Sequence, residues 1–440
     1  MERVVVAPAR TGGAVLGLLA ASQFLVALNT SIVNVALPAI GDDLALSPAG
    51  LSWVVNAYLV AFGALLLVGG RIADVHGRRR TLLAGLGLFA AGSVAASVPA
   101  GAGLLIAARA VQGTGAAVLS PAALAIVLAL YPAGPARGRA LGVWGSVSAA
   151  GGAAGVLLSG VLTDLLGWWA IFAVSVPVAL AALVLVPRLV PSDGARRGGT
   201  LDLPGAVTVT LGLLAVVYGL GRGGPAALGA GAVLLAAFAV IERRAADPLV
   251  PPGLLRVARV ASGNAAMLLL GMVWVATFFF LPLYQQRVLG YSPLATGITQ
   301  LPLALALMAA PLAAGRLRGT LVPGLLVLAA GLAWLSRVPA DGTFLVDLLG
   351  PTVLIGGGLG LAFVPLTALG VAGVPAERSG VASGLINTTR QVGGALGLSL
   401  LASVADLAPS DRLGYRDAFL GAAAISVLAA AVALLKGRRP

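Results

Sequence analysis

Two arginines stand inside long apolar runs of this 440-residue sequence, Arg109 in AARAVQGTGAAVLSPAAL and Arg390 in SGVASGLINTTRQVGGALGLSLL. A guanidinium in a hydrocarbon layer costs ~2.5–3.5 kcal/mol at a helix centre on insertion scales, so it is retained where it faces a partner or a polar cavity. The polar groups that could share such a cavity are amides and one phenol: Gln23, Asn29, Asn34, Asn56, Gln112, Tyr284 and Asn387. Fixed positive charge beside neutral donors and acceptors suits reversible binding of a neutral or anionic small molecule. A cation would lose its hydration there with nothing to replace it. Other chemistries lack their residues. Cysteine is absent, His76 is the single histidine, and no His/carboxylate cluster occurs. No thiol, metal site, cofactor or enzymatic activity is therefore expected.

The elements that must position these residues are membrane helices. Hydrophobic residues make up 59% of the chain and charged ones 10%, with a mean hydropathy of +1.02, too apolar for a water-soluble surface. A bilayer core needs about 20 apolar residues per helix, and suitable runs fall at 14–40, 52–74, 81–98, 102–131, 140–164, 167–187, 203–221, 225–242, 261–286, 295–315, 321–336, 345–373, 380–406 and 417–435. No alternating strand pattern accompanies them, and lipid cannot satisfy open backbone groups. An all-α integral membrane protein of fourteen transmembrane helices is expected. The net charge of +13 does not require nucleic acid. With both termini cytoplasmic, the outer ends hold only Arg222, Arg287, Arg337, Arg412 and Arg416. Nearly every other basic residue then faces the cytoplasm, as orientation by positive loops demands. Arg3 and Arg10 ahead of an apolar run could imitate a secretion signal, but the run is too long and continues as a helix. Trp53, Trp168 and Trp169 are expected to anchor at the outer interface.

Internal similarity divides the chain. GGAAGVLLSGV, from Gly151, resembles GGALGLSLLASV, from Gly393, so that Gly151 and Gly155 match Gly393 and Gly397; Gly160 continues the first small-residue stripe. GTGAAVLSPAAL from Gly113 pairs with GLGLAFVPLTAL from Gly358, and GGRI at Gly69 with AGRL at Ala314, at similar offsets. Two related halves with a central insertion are expected. The divisions are a cytoplasmic tail 1–13, a six-helix bundle 14–187, a linker 188–202, a helix pair 203–242, a linker 243–260, a second six-helix bundle 261–435, and a cytoplasmic tail 436–440. Small residues along the fifth helix of each half allow close helix contact.

Four stretches resemble a known family. GGRIADVHGRRR is similar to the loop between the second and third helices of the major facilitator superfamily, with Gly70, Asp74, Gly77, Arg78 and Arg79 in place and Val75 where Arg is usual. The resemblance implies a cytoplasmic latch, the Asp pairing with a helix end across the halves; the residues alone allow a solvated turn held inside by its charge. RAVQGTG resembles the fourth-helix signature, leaving Arg109 either facing a cavity or reaching the outer surface. SGLINTTRQVGG resembles the penultimate helix of the fourteen-helix drug:proton antiporter subfamily, leaving Arg390 either in a cavity or in a structural contact. LNTSIVNVALP resembles the first-helix signature except that Asn29 replaces its Asp, and Gly155 to Gly160 lack the fifth-helix Pro.

The family implies a major-facilitator-type fold of 6 + 2 + 6 helices and a secondary active exporter of small amphipathic compounds working by alternating access and coupled to proton antiport. It further implies a single chain in the bilayer of a bacterial plasma membrane, with small-molecule substrate and proton as partners. Because Asn29 cannot titrate, the proton-coupling candidates are Asp74, Asp164 and Asp347. The alternative is a transport-inactive receptor or scaffold of the same fold.

Overall fold

The computed structural model describes residues 9–131, 134–192, 201–222, 224–314, 319–374 and 379–437. The expected tails and linkers lie partly outside these, at 1–8, 193–200 and 438–440. The first half comprises α1 (Ala9–Asp43), α2 (Pro48–His76), α3 (Arg78–Ala96), α4 (Ala102–Leu130), α5 (Pro135–Leu166), α6 (Ala170–Ala173) and α7 (Ser175–Leu189). A central pair follows, α8 (Leu203–Arg222) and α9 (Pro225–Arg244). After the short α10 (Pro252–Arg256) come α11 (Ala258–Arg287), α12 (Pro293–Thr299), α13 (Leu301–Ala314), α14 (Leu321–Leu335), α15 (Leu349–Gly370), α16 (Ser379–Asp406) and α17 (Asp411–Gly437). Local signals set several ends: Ser47 accepts a hydrogen bond from Gly50 N at the start of α2, Ser292 does the same for Ala295 N at α12, and Gly77 (φ +97°) permits the sharp turn into α3.

Among the described residues, eleven helices are long and apolar enough to cross a bilayer. Three further expected runs are helical but fall short for separate reasons. The arginines at Arg78–Arg80 open α3, α14 has only fifteen residues, and Asn387–Gln391 interrupts the apolar character of α16. Two expected runs contain breaks: α6 and α7 divide 167–187, and Gln300 separates α12 from α13. Large apolar side chains are left open to the surroundings, Leu165 at 71%, Val233 at 69% and Leu305 at 62% exposure. That outer face suits lipid.

Glycines show how each half is packed. Gly113 lies against the Tyr58 carbonyl of α2 and Gly115 against Phe89 of α3; Gly356 lies against the Leu303 carbonyl of α13 and Gly358 against Leu328 of α14. The fourth long helix of each half thus fits between the same two neighbours. Gly113 corresponds to Gly356 rather than Gly358, a two-residue correction to the expected alignment. The fifth helices repeat the pattern: Gly151 and Gly155 seat α5 on Phe24, Leu28 and Ser31 of α1, while Gly393 and Gly397 seat α16 on Leu268 and Met272 of α11. Gly160 instead lies against Pro293 and Gly297 of α12, in the other half. The Gly69 match at Ala314 runs into residues 315–318, outside the described residues. The central pair rests on the seam, α8 packing on both α2 and α16, with Ser403 Oγ donating to the Leu220 carbonyl at 2.6 Å.

A Cβ on Gly115 would sit 2.5 Å from Phe89 N and one on Gly358 2.5 Å from Leu328 N, whereas Gly87 has nothing within 4 Å. Gly115→Ala and Gly358→Ala are each expected to cost ~1–3 kcal/mol by overpacking. Gly87→Ala should stabilise α3 by up to ~1 kcal/mol through helix propensity. Thermal unfolding of the purified variants in detergent checks the opposite signs.

Candidate functional site

Arg109 and Gln112 are one turn apart on α4 and face the interior of the first half. Arg109 Nε donates to the Val54 carbonyl of α2 at 3.0 Å, and its Nη1 donates to Asn29 Oδ1 at 3.3 Å and Gln112 Oε1 at 3.0 Å. Gln112 Nε2 donates to Ser93 Oγ of α3 at 2.9 Å and to Asn29 Oδ1 at 3.3 Å; Asn29 Nδ2 donates to Ser175 Oγ of α7 at 2.8 Å. The guanidinium carbon lies 4.4 Å from the Tyr58 ring centroid and 5.8 Å from that of Phe172, within cation–π range. Arg109 is 1% exposed, and Asn29, Gln112, Ser93 and Ser175 are fully buried. The side chain therefore does not reach the outer surface. It ties α1, α2, α3, α4 and α7 together using neutral acceptors, with no carboxylate among them.

Arg390 has the opposite surroundings. It is half-buried near the middle of α16, ~16 Å from the helix start at ~1.5 Å per residue. Its guanidinium carbon lies 5.8 Å from the Trp274 ring centroid and 6.0 Å from that of Phe363, two rings in edge contact with each other at 5.5 Å. Its Nε is buried without an acceptor, as are the Thr388 hydroxyl and both amide atoms of the buried Gln391. Asn387, one turn earlier, is exposed, and its Nδ2 donates to the Ser383 carbonyl. The Tyr58 ring lies over Arg109, on α2, which packs against the α16 that carries Arg390, so the seam between the halves has a saturated guanidinium in one half and an unsaturated one in the other.

The other expected cavity residues are distributed around this seam. Asn56 reaches across it, its Nδ2 donating to Ser399 Oγ at 2.9 Å while its Oδ1 has no partner. Gln23 is half-buried and accepts from Ser120 Oγ at 2.9 Å; Asn34 is buried in α1. Tyr284 is remote from the arginines in its bonding, its hydroxyl donating to the Val338 and Pro339 carbonyls after α14. Asn29, Arg109 and Gln112 thus form one cluster, whereas Tyr284 belongs to the packing of the second half.

In the turn between α2 and α3, Asp74 is exposed and Arg79 donates to the Pro187 carbonyl at 2.8 Å. Gly70 and Arg78 flank this turn. The ion pair here is one that the motif did not indicate, Arg71 with Asp247 at 2.6 Å. Asp164 is exposed at the end of α5. Asp347 Oδ2 accepts from Thr343 N at 2.7 Å, capping the π-helical turn Phe344–Leu348. Trp168 is buried rather than interfacial, its Nε1 donating to Asp43 Oδ2 at 2.9 Å, while Trp169 is exposed and Trp53 half-buried.

The two halves meet closely at the end that carries the α1–α2 turn. Gln286 Nε2 donates to the Val35 carbonyl at 2.8 Å, Arg287 pairs with Asp42 at 3.4 Å, and Gly160 abuts Pro293. None of these inter-half contacts follows a sequence pattern, because each joins residues far apart in the chain. Towards the other end α2 remains packed on α16, but α4 has no extended packing on the second half.

Comparison with known proteins bears on this arrangement. The sequence profile of the Major Facilitator Superfamily matches residues 19–398. The chain is 41% identical over 438 residues to the cephamycin export protein CmcT of Amycolatopsis lactamdurans, covering 94% of this chain and 90% of the relative. It is 42% identical over 406 residues to the puromycin resistance protein pur8 of Streptomyces alboniger, covering 87% and 80%. It is 35% identical over 398 residues to the tetracenomycin C resistance and export protein of Streptomyces glaucescens, covering 87% and 74%. Among solved structures, a crystal structure of an auto-inhibited POT family peptide transporter superposes with a TM-score of 0.73 at 16% identity, over 98% of this chain and 97% of the other.

The Arg109 network yields a stability test. Asn29→Leu removes an acceptor from Arg109 and a partner from both Gln112 and Ser175, and is expected to cost ~1–3 kcal/mol per buried group left unsatisfied. Asn29→Asp keeps the acceptor and supplies a counter-charge, so its thermal unfolding temperature should remain at or above that of the unmodified protein.

Proposed function

The chain belongs to the Major Facilitator Superfamily, and on that premise we propose that it exports small amphipathic organic compounds by alternating access. The observation that carries this reading is near-full-length similarity to proteins named for antibiotic export and resistance. Multi-pass apolar helices and a transporter fold agree with it. Efflux is the activity that the names of these relatives support.

In that reading fourteen crossings are arranged 6 + 2 + 6, with both termini on the cytoplasmic side of a bacterial plasma membrane and a single chain as the working unit. The halves 14–187 and 261–435 rock about the seam, and the central pair 203–242 rides on it. The α1–α2 end is the outer one, closed by the contacts of Gln286, Arg287 and Gly160. The substrate then enters from the cytoplasm between α4 and α5 of one half and α13 and α15 of the other, reaching the seam beside Arg390. Asp74, exposed here, serves as the latch of the opposite state. Gly70, Gly77, Arg78 and Arg79 shape that turn.

Proton antiport supplies the drive. With Asn29 in the first helix, the exchange falls to a carboxylate at a helix end, and Asp74 or Asp164 suits it better than Asp347, whose oxygen is engaged as a cap. Binding to a site fixed in the seam gives transport when the substrate has access to each side in turn.

Cells expressing the protein should accumulate severalfold less of at least one compound in an amphipathic panel than cells carrying an empty vector, and a protonophore should abolish the difference. Equal accumulation across the panel overturns the exporter reading; a difference that survives the protonophore overturns proton coupling alone. Asn29→Asp should extend efflux to a cationic dye, because it returns a carboxylate to the first half.

A further inference from the structure

We infer that Arg390 is the anion-recognition residue of the transport site, and that the substrates it selects are small amphipathic acids, a carboxylate joined to a flat apolar body. This rests on the reading of the chain as an exporter, and it adds the substrate class.

The two intramembrane arginines contrast in their partners. Arg109 has its acceptors within the protein and is closed to the surroundings. Arg390 is half-buried, has no counter-ion among the described residues and leaves its Nε without an acceptor. The ion pairs among the described residues are Arg71–Asp247, Arg287–Asp42 and Arg416–Asp417, all at helix ends and none near it. A guanidinium at mid-membrane depth with no carboxylate partner is costly, and an anion supplies both countercharge and acceptors. A lipid phosphate cannot, since the headgroups lie ~15 Å away at the edge of a hydrocarbon core about 30 Å thick.

The surroundings define the rest of the ligand. Trp274 and Phe363 stand at 5.8 and 6.0 Å, the outer limit of cation–π contact. The Nε is shut in by protein, whereas the Nη nitrogens, which make no hydrogen bond among the described residues, keep open surface. Two carboxylate oxygens fit that pair of Nη groups end-on. The same rings offer apolar faces to a flat body attached to that carboxylate. Gln391, the next residue, turns away from this face and is buried against Gly63 of α2, so the neighbouring seam contact holds this part of α16 in place. Asn387 lies one turn from Arg390 and is exposed, so this face of α16 is reachable.

The test uses the full chain in phosphatidylcholine nanodiscs, with 2-naphthylacetate and its neutral isostere 2-naphthylacetamide titrated calorimetrically against empty discs as blank. The unmodified protein should bind the acid at least tenfold more tightly than the amide. Arg390→Gln should bring the two affinities within twofold of each other, and Arg390→Lys should retain part of the preference. Absence of an acid preference in the unmodified protein, including failure to bind either probe, overturns the assignment whatever the variants do; so does a tenfold preference that survives Arg390→Gln. Proteoliposomes loaded with 2-naphthylacetate separate this from the parent reading. Selective binding without movement sinks the exporter reading and leaves Arg390 as the anion site, whereas movement without acid preference does the reverse.

Discussion

The hydrocarbon layer offers no partner to a polar group, and the interior of this protein is organised by that single fact. A charge that enters the layer must bring its partners with it or acquire them there. Arg109 brings them: a carbonyl from α2, amides from α1 and α4, hydroxyls from α3 and α7 behind those amides, and an aromatic face above. Such a network is rigid because every member is fixed by the others. It makes the first half one mechanical body without any carboxylate, and so without a group that would titrate in the centre of that body.

Rigidity of the second half has a different source. There the close approach of helices through Gly356, Gly358, Gly393 and Gly397 dominates, and three neighbouring polar groups of α16, the Thr388 hydroxyl, Arg390 Nε and the Gln391 amide, are buried without partners. The same glycines have counterparts in the first half at nearly constant offset, so the two bundles share a packing plan while differing in polar content. Two bodies that are each internally tight, and joined mainly at one end and along α2 and α16, move by tilting about that seam at lower cost than by deforming either body. The polar asymmetry then has a mechanical consequence. The saturated arginine belongs to a body that moves as a unit, and the unsaturated one stands at the surface between the bodies.

Much of this was legible in the sequence, and what was not has a common cause. Apolar runs of bilayer length located the helices within a few residues, and the glycine repeat indicated the duplication, because both are local signals. The alignment of Gly113 was misplaced by two residues because alanine- and glycine-rich helices match in several registers; only the neighbouring carbonyls of Tyr58 and Leu303 distinguish them. Arg109, Asn29 and Gln112 were identifiable as polar residues in apolar runs. Their mutual bonding was not, since Asn29 and Ser175 are 146 positions apart and no spacing rule relates them. The bond of Trp168 to Asp43 is not legible for the same reason: the two lie 125 positions apart.

The asparagine at position 29 connects these points. A carboxylate there would pair with Arg109 and change charge as its proton came and went, so the core of the first half would carry both a structural and a titrating role. With an amide the structural role persists alone, and the fixed positive charge is shared among dipoles that cannot change state. The electrostatic character of the seam is then positive, from Arg109 buried in the first half and Arg390 in the second. A cationic substrate placed between them faces repulsion from both at every stage of the cycle, and a neutral one meets the cost of leaving Arg390 unpaired. An anion removes that cost when it binds and restores it when it leaves. The unsatisfied charge of Arg390 therefore acts as a selector of substrate charge, which a residue already saturated by its own fold could not do.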